Sequence, residues 1–167
     1  MSRPLRILLV NKAYPPHIGG IETLVRQYAR YFQTQFSAEV QVLVCQEKGK
    51  TARETIGGVP VLRAGSIGTY FSCPLSGSFL RYFRKYAKQA DVVMIHMPFP
   101  LADLACLLSG YRGRVVLAWH SDVIKQKTLL RFYAPLLRWL LRRADCILTA
   151  TQGHIDSSAF LPAVREK

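Results

Sequence analysis

The stretch "RILLVNKAYPPHIGGIETLVRQYARYF", residues 6–32, carries three instructions in a row. Ile7 to Val10 form a run that is apolar on both faces, which suits a strand buried between two layers of helix. Pro15, Pro16, Gly19 and Gly20 then break the pattern. Beyond them Ile21, Leu24, Val25, Tyr28, Ala29 and Phe32 recur at helical spacing on one stripe, with Arg26 and Arg30 on another face. A buried strand, a Gly/Pro turn and an amphipathic helix, in that order, form the opening unit of a parallel α/β sheet.

The alternation continues along the chain. Strand-like runs are "VQVLVC" (40–45), "VPVLRA" (59–64), "DVVMIH" (91–96), "RVVLAWH" (114–120) and "CILTA" (146–150). Helical patterns occupy residues 79–89, 100–109 and 128–143, and Pro135 predicts a kink or a restart in the last of these. The expected fold is therefore α/β and Rossmann-like: a doubly wound, mainly parallel sheet of about six strands with helices on both faces. Residues 1–167 read as a single such domain, without internal repeats or a low-complexity linker. In sheets of this kind ligands bind beyond the carboxyl ends of the strands, so the segments after each strand are where chemistry is expected.

Composition narrows the setting. Half of the 167 residues are hydrophobic, enough for one real core, and 23 Lys and Arg against 10 Asp and Glu give a formal charge of +13. Such a balance calls for an anionic partner: nucleic acid, membrane lipid or a phosphorylated substrate. The charge concentrates on two helical patterns, Arg81, Arg84, Lys85 and Lys88 in one and Arg131, Arg138, Arg142 and Arg143 in the other. Interleaved aromatic residues make these resemble helices that lie on an anionic membrane surface. A nucleic-acid groove has a similar composition, but no zinc-finger or RRM motif accompanies it, and nucleic acid is not the expected partner. Cys45, Cys73, Cys106 and Cys146 show no CxxC spacing and read as buried thiols of a reducing compartment. No apolar run approaches the roughly 20 residues that cross a bilayer. The expected location is cytoplasmic, with peripheral contact at the inner face of the membrane.

The first turn is the first candidate site. After a strand and before a helix, backbone N–H groups and the helix dipole favour anionic oxygens, and glycines remove the Cβ atoms that would keep a phosphate away. The plainer alternative is a tight turn. Neither G-x-G-x-x-G nor G-x-x-x-x-G-K-[ST] is present. His96 and His120 close the fourth and fifth strand runs and His17 lies in the first loop, so all three belong to one edge of the sheet; each also reads as an ordinary strand-end residue. A metal site is not expected, because Asp122 is the only nearby carboxylate and no H-x-x-x-H spacing occurs. Ser121 and Asp122 suit the start of a short helix, with Lys125 and Lys127 behind them able to neutralise a phosphate or simply to be solvated.

Taken together and in order, "PPHIGGIE", "HMPFPLADL", "HSDVIKQK" and "LLRRADCILTAT" resemble the N-terminal half of the retaining GT-B glycosyltransferases of family four, the "group 1" enzymes, over residues 5–161. The "HSDVIKQK" form is most similar to bacterial mannosyltransferase-type members that build surface polysaccharides. The resemblance implies two Rossmann-like domains facing across a cleft, this one holding the acceptor and a C-terminal one holding the nucleotide-sugar. It implies that Gly19 and Gly20 offer N–H groups to the donor diphosphate, and that His120 is catalytic, lying against the transferred sugar. Glu22 then positions the loop, and His17, His96, Asp122, Lys125 and Lys127 serve the acceptor or the loop. No cofactor or metal is implied, the nucleotide-sugar being a co-substrate, and the acceptor is lipid-linked or a glycan. Thr149 and Thr151 stand where the family usually has a serine. No E-x7-E motif follows the sixth strand run, where the family's second domain would carry it, so the expectation is that the C-terminal nucleotide-sugar domain is absent from this chain and that these residues alone are inactive. A non-catalytic binding module, or a split-enzyme subunit whose partner chain supplies the donor site, is the alternative.

Overall fold

The computed structural model describes residues 3–122 and 127–167, with side chains after the gap described from residue 131. In chain order the elements are β1 (Arg6–Val10), α1 (Gly20–Phe36), β2 (Glu39–Cys45), β3 (Ala52–Ile56), β4 (Val59–Ala64), β5 (Thr69–Tyr70), β6 (Cys73–Pro74), α2 (Gly77–Ala87), β7 (Val92–Met97), α3 (Pro100–Ser109), β8 (Arg114–Trp119), α4 (Lys127–Arg143), β9 (Cys146–Thr149) and α5 (Gln152–Ser157). A 3₁₀ turn, Leu161–Val164, follows.

The main sheet has the order β3-β4-β2-β1-β7-β8-β9. From β1 it winds outward both ways through parallel pairings, and only β3 runs antiparallel, against β4. The pleat divides each strand between two cores. Leu8, Val10, Leu43, Val93, Ile95 and Leu117 pack with residues of α2, α3 and α4 on one face. Ile7, Leu9, Val42, Met94 and Ala118 pack with Val25 and Ala29 of α1 on the other. All six expected strands are present and helices cover both faces.

Three features differ from the sequence reading. The sheet has seven strands rather than about six, because "ARETI" forms edge strand β3, whose residues are almost all exposed and so show no apolar alternation. A second, two-stranded sheet of β5 and β6 follows β4. Finally, α4 continues through Pro135 rather than restarting there. That proline lies on the exposed side of the helix, where solvent satisfies the carbonyl it leaves unpaired, while Tyr133, Ala134, Leu137, Leu140 and Leu141 hold the helix to the sheet.

Side chains lock the ends of the strands. At the edge away from the candidate site, Asp91 accepts the Arg6 backbone N–H at 2.9 Å and both Arg3 guanidinium nitrogens at 2.5 and 2.7 Å. The Arg3 hydrogen bonds hold the Asp91 carboxyl well below the usual carboxylate range. Beneath α2, Phe79 is wholly buried between Phe83 and Phe99, with ring centroids 6.2 and 5.3 Å away. Replacing Phe83 with Ala should cost about 3–5 kcal/mol of unfolding free energy, read from urea titration. An unchanged midpoint would contradict this packing.

Candidate active site

The β1–α1 loop is built from its anchored end outward. Asn11 continues β1, donating its backbone N–H to Leu43 at 3.2 Å and its Nδ2 to the Ala13 carbonyl at 2.9 Å. Tyr14 is fully buried. Arg63 of β4 reaches across to donate to the carbonyls of Tyr14, at 3.2 Å, and Pro15, while its Nε pairs with Glu54. Sequence reasoning missed this clamp because its partners are backbone oxygens 48 and 49 residues away.

Released from the clamp, the chain enters α1 at Gly19, whose extended backbone any residue can adopt. What Gly19 provides is room: a Cβ there would lie 2.1 Å from Glu22 Oε2, so the Glu22 carboxylate folds back over the start of its own helix. Gly20 differs, since a Cβ added there meets nothing within 4 Å. The protein's own packing therefore does not require glycine at position 20. No side chain caps the helix, and its first N–H groups face outward with the positive end of the dipole behind them.

Two imidazoles meet beside this helix. β7 and β8 are adjacent and parallel, so His96, one residue before the end of β7, and His120, one residue past β8, come together on the α1 face of the sheet. His96 Nδ1 and His120 Nε2 are 3.0 Å apart. His96 is buried, with Tyr28 of α1 at 6.0 Å between ring centroids. Burial, then the neighbouring His120, pushes His96 down to about 3, so it is neutral at physiological pH. Burial also lowers His120, against an opposing pull from Glu22 and with a further push from His154. These influences place Glu22, His96, His120 and His154 in one electrostatic neighbourhood.

Lys12, Asp103 and Tyr133 join this neighbourhood although sequence reasoning did not single them out as candidates. Lys12 lies two residues past β1, and burial lowers it despite the opposing fields of Cys73, Asp103 and Glu22. Asp103, in the first turn of α3, is completely buried; Tyr133 of α4 donates to its Oδ2, and its Oδ1 has no partner among the described residues. A lysine two residues past the first strand was the one readable signal; the Asp103–Tyr133 pair exists only because α3 and α4 are neighbours.

The remaining candidates divide. His17 lies on the β2 side of the loop, 3.8 Å from Glu47, lining a 330 Å³ cavity with Lys48 and Arg63 and standing apart from the imidazole pair. The short helix expected after Asp122 lies outside the described residues. The Asp122 carboxylate accepts from Trp119 Nε1 at 3.1 Å, Ser158 Oγ at 2.8 Å and the Ala159 N–H at 2.9 Å, stapling the β8 tip to the segment after α5. Lys125 lies outside the described residues, as does the side chain of Lys127, which begins α4.

The fold and the position of the site define a Rossmann-like lobe of the GT-B kind. Sucrose-phosphate synthase from Thermosynechococcus elongatus superposes with a TM-score of 0.58 at 13% identity, over 86% of this chain and 41% of that one. The trehalose 6-phosphate synthase of Burkholderia multivorans gives 0.58 at 13%, over 99% of this chain and 43% of its own. Residues 19–166 match the glycosyl transferase 4-like domain, and the chain belongs to that family. D-rhamnosyltransferase WbpZ of Pseudomonas aeruginosa is 32% identical over 164 residues, 98% of this chain and 43% of its own length. O-antigen chain mannosyltransferase C of Escherichia coli is 29% identical over 164 residues, again 98% of this chain and 44% of its own. The chain thus spans less than half the length of these two relatives.

Burial pushes the Asp103 carboxyl up to about 7, with the Tyr133 hydrogen bond and Lys12 pulling the other way. The unfolded chain releases that proton near pH 4. Between about pH 4 and 7 the folded state binds more protons than the unfolded one, so this residue makes stability fall as pH rises. Asp103→Asn should flatten the fall between about pH 5 and 7, a difference on the order of a few kcal/mol across the range, measured by urea unfolding at several pH values. A slope unchanged by the substitution would show that Asp103 is ionised in the folded protein.

Proposed function

We propose that this chain is the acceptor-side half of a retaining glycosyltransferase that moves a hexose, mannose or a close relative, from a nucleotide-sugar to a lipid-linked or polysaccharide acceptor. The observation that carries this reading is the imidazole pair, His96 and His120, set beside an uncapped helix start at the carboxyl edge of a parallel sheet. The names of the two curated relatives, a rhamnosyltransferase and a mannosyltransferase, support the class of sugar. In this reading a second lobe delivers the nucleotide-sugar. The first N–H groups of α1 stabilise the departing diphosphate, with Gly20 leaving the approach clear. His120 lies against the transferred sugar and hydrogen-bonds to it. Glu22, folded over Gly19, sets the helix start, and the acceptor hydroxyl attacks on the face that the leaving group vacates, its proton passing to the oxygen of the departing diphosphate.

The same reading places the protein on the inner face of a membrane. Among the described residues no helix is long and apolar enough to cross one. α3 packs between α2 and α4 on one face of the sheet. Its outward side exposes Leu104, Leu107 and Leu108, at i, i+3 and i+4. The flanking helices expose Arg81, Arg84, Lys85 and Lys88 on α2, and Arg131, Arg138 and Arg142 on α4. An apolar ridge between two basic rows suits an anionic bilayer surface, where leucines enter the headgroup boundary and cations meet lipid phosphates. Arg143 is not part of that surface, since it donates to the carbonyls of Tyr111 and Gly113.

In the full-length enzyme, His120→Ala should lower kcat about 100- to 1,000-fold, the usual cost of losing one donor to a developing charge. Gly20→Ala should keep or raise stability, by up to about 1 kcal/mol, while slowing transfer. Transfer at the parental rate in Gly20→Ala would remove the diphosphate from that position. Flotation with vesicles tests the surface: binding should require anionic lipid, weaken with salt, and fall when Leu107 and Leu108 are both changed to Glu. Equal binding to neutral vesicles would refute the electrostatic part.

A further inference from the structure

The two imidazoles are joined more specifically than proximity requires. Their planes lie within 10° of each other and their centroids are 5.2 Å apart, although the facing nitrogens are separated by only 3.0 Å. Rings stacked face to face at that nitrogen distance would have much closer centroids. The pair instead meets edge to edge in nearly one plane, the arrangement of an N–H···N hydrogen bond. One ring must donate and the other accept, and the position of each proton fixes the tautomer of both.

The other nitrogen of His96 decides between the two arrangements. His96 Nε2 is buried and has no partner among the described residues. Were it protonated, a buried N–H would be left without an acceptor, which folded proteins rarely tolerate. With the proton on Nδ1, the orphaned atom is only a lone pair. His96 then donates from Nδ1 to Nε2 of His120, and the proton of His120 is confined to its Nδ1, the nitrogen turned away from His96.

We propose that His96 is a positioning residue: its Nδ1–H holds His120 in the Nδ1–H tautomer, so that His120 meets the transferred sugar as a hydrogen-bond donor and not as a base. The role assigned to His120 rests on the function proposed above; the tautomer itself does not. Neutral histidine in water favours the Nε2–H form, so the structure imposes the less common one. The burial that keeps His96 neutral prevents it from offering a second proton. His120 contributes no proton transfer in this arrangement, in keeping with a reaction in which the diphosphate leaves with its charge stabilised by backbone N–H groups.

The test uses full-length protein labelled with 15N-histidine and long-range 1H–15N correlation near neutral pH. Both His96 and His120 should show protonated Nδ1 and bare Nε2. His96→Asn places an amide N–H close to the position of the original donor and should keep the His120 pattern, with kcat within about threefold of the parent. His96→Leu should return His120 to the Nε2–H form and lower kcat about 10- to 100-fold, the usual scale for losing a supporting hydrogen bond, with a smaller change in KM. A parental spectrum with His120 protonated at Nε2, or a His120 pattern unmoved by His96→Leu, overturns the proposal. If the tautomer moves but kcat does not, His96 positions His120 as stated and it is the place of His120 beside the sugar that falls. Should His96→Leu fail to fold, the parental spectrum decides alone.

Discussion

The parallel pairing of β1 with both β2 and β7 is the constraint from which the rest of this molecule follows. A strand hydrogen-bonded in parallel on both sides needs a helix on each face, because its successive side chains point to opposite sides and all must leave water. Ile7 and Leu9 go to α1, and Leu8 and Val10 to the layer of α2, α3 and α4. Because the neighbours run in the same direction, all their carboxyl ends reach one edge. The Gly19–Gly20 helix start, His96 and His120 are therefore gathered by topology, although 101 positions separate the first of them from the last.

Polar fastenings keep that edge in register. Arg63 holds the first loop by its carbonyls, and Asp122 holds the tip of β8 to the segment beyond α5. Neither is an isolated surface ion pair, whose contribution is typically small. Each satisfies several partners from segments distant in sequence, and such multiple bonding to one charged group fixes geometry more firmly than a single contact.

The architecture was largely legible because strands buried on both faces announce themselves as continuous apolar runs. β3 was not, since "ARETI" sits at an edge and offers no buried face to read. That α4 does not restart at Pro135 could not be read from local propensity, which carries no information about the apolar contacts on either side of it. In the site, His96 and His120 could be found because each sits at the end of a strand run. Asp103 is one polar residue in an apolar helix, and only the neighbouring α4 gives it Tyr133 as a donor. The bonds that Asp122 makes to Ser158 and Ala159 could not be read, because these partners lie 36 and 37 positions later.

The Asp122 staple means that His120 and the chain's onward path share one mounting. The carboxylate is two residues from the imidazole and grips Ser158 and Ala159, just where the backbone passes on toward residues 161–167. Ser158 is in turn engaged by the N–H groups of Phe160 and Leu161, at 3.1 and 3.2 Å, so the grip extends into the final turn. The last residues are tied back to the sheet as well, the Lys167 carbonyl accepting from the Ile147 N–H of β9 at 3.1 Å and its Nζ donating to the Ala144 carbonyl at 2.9 Å, so His120 and this final stretch rest on one frame.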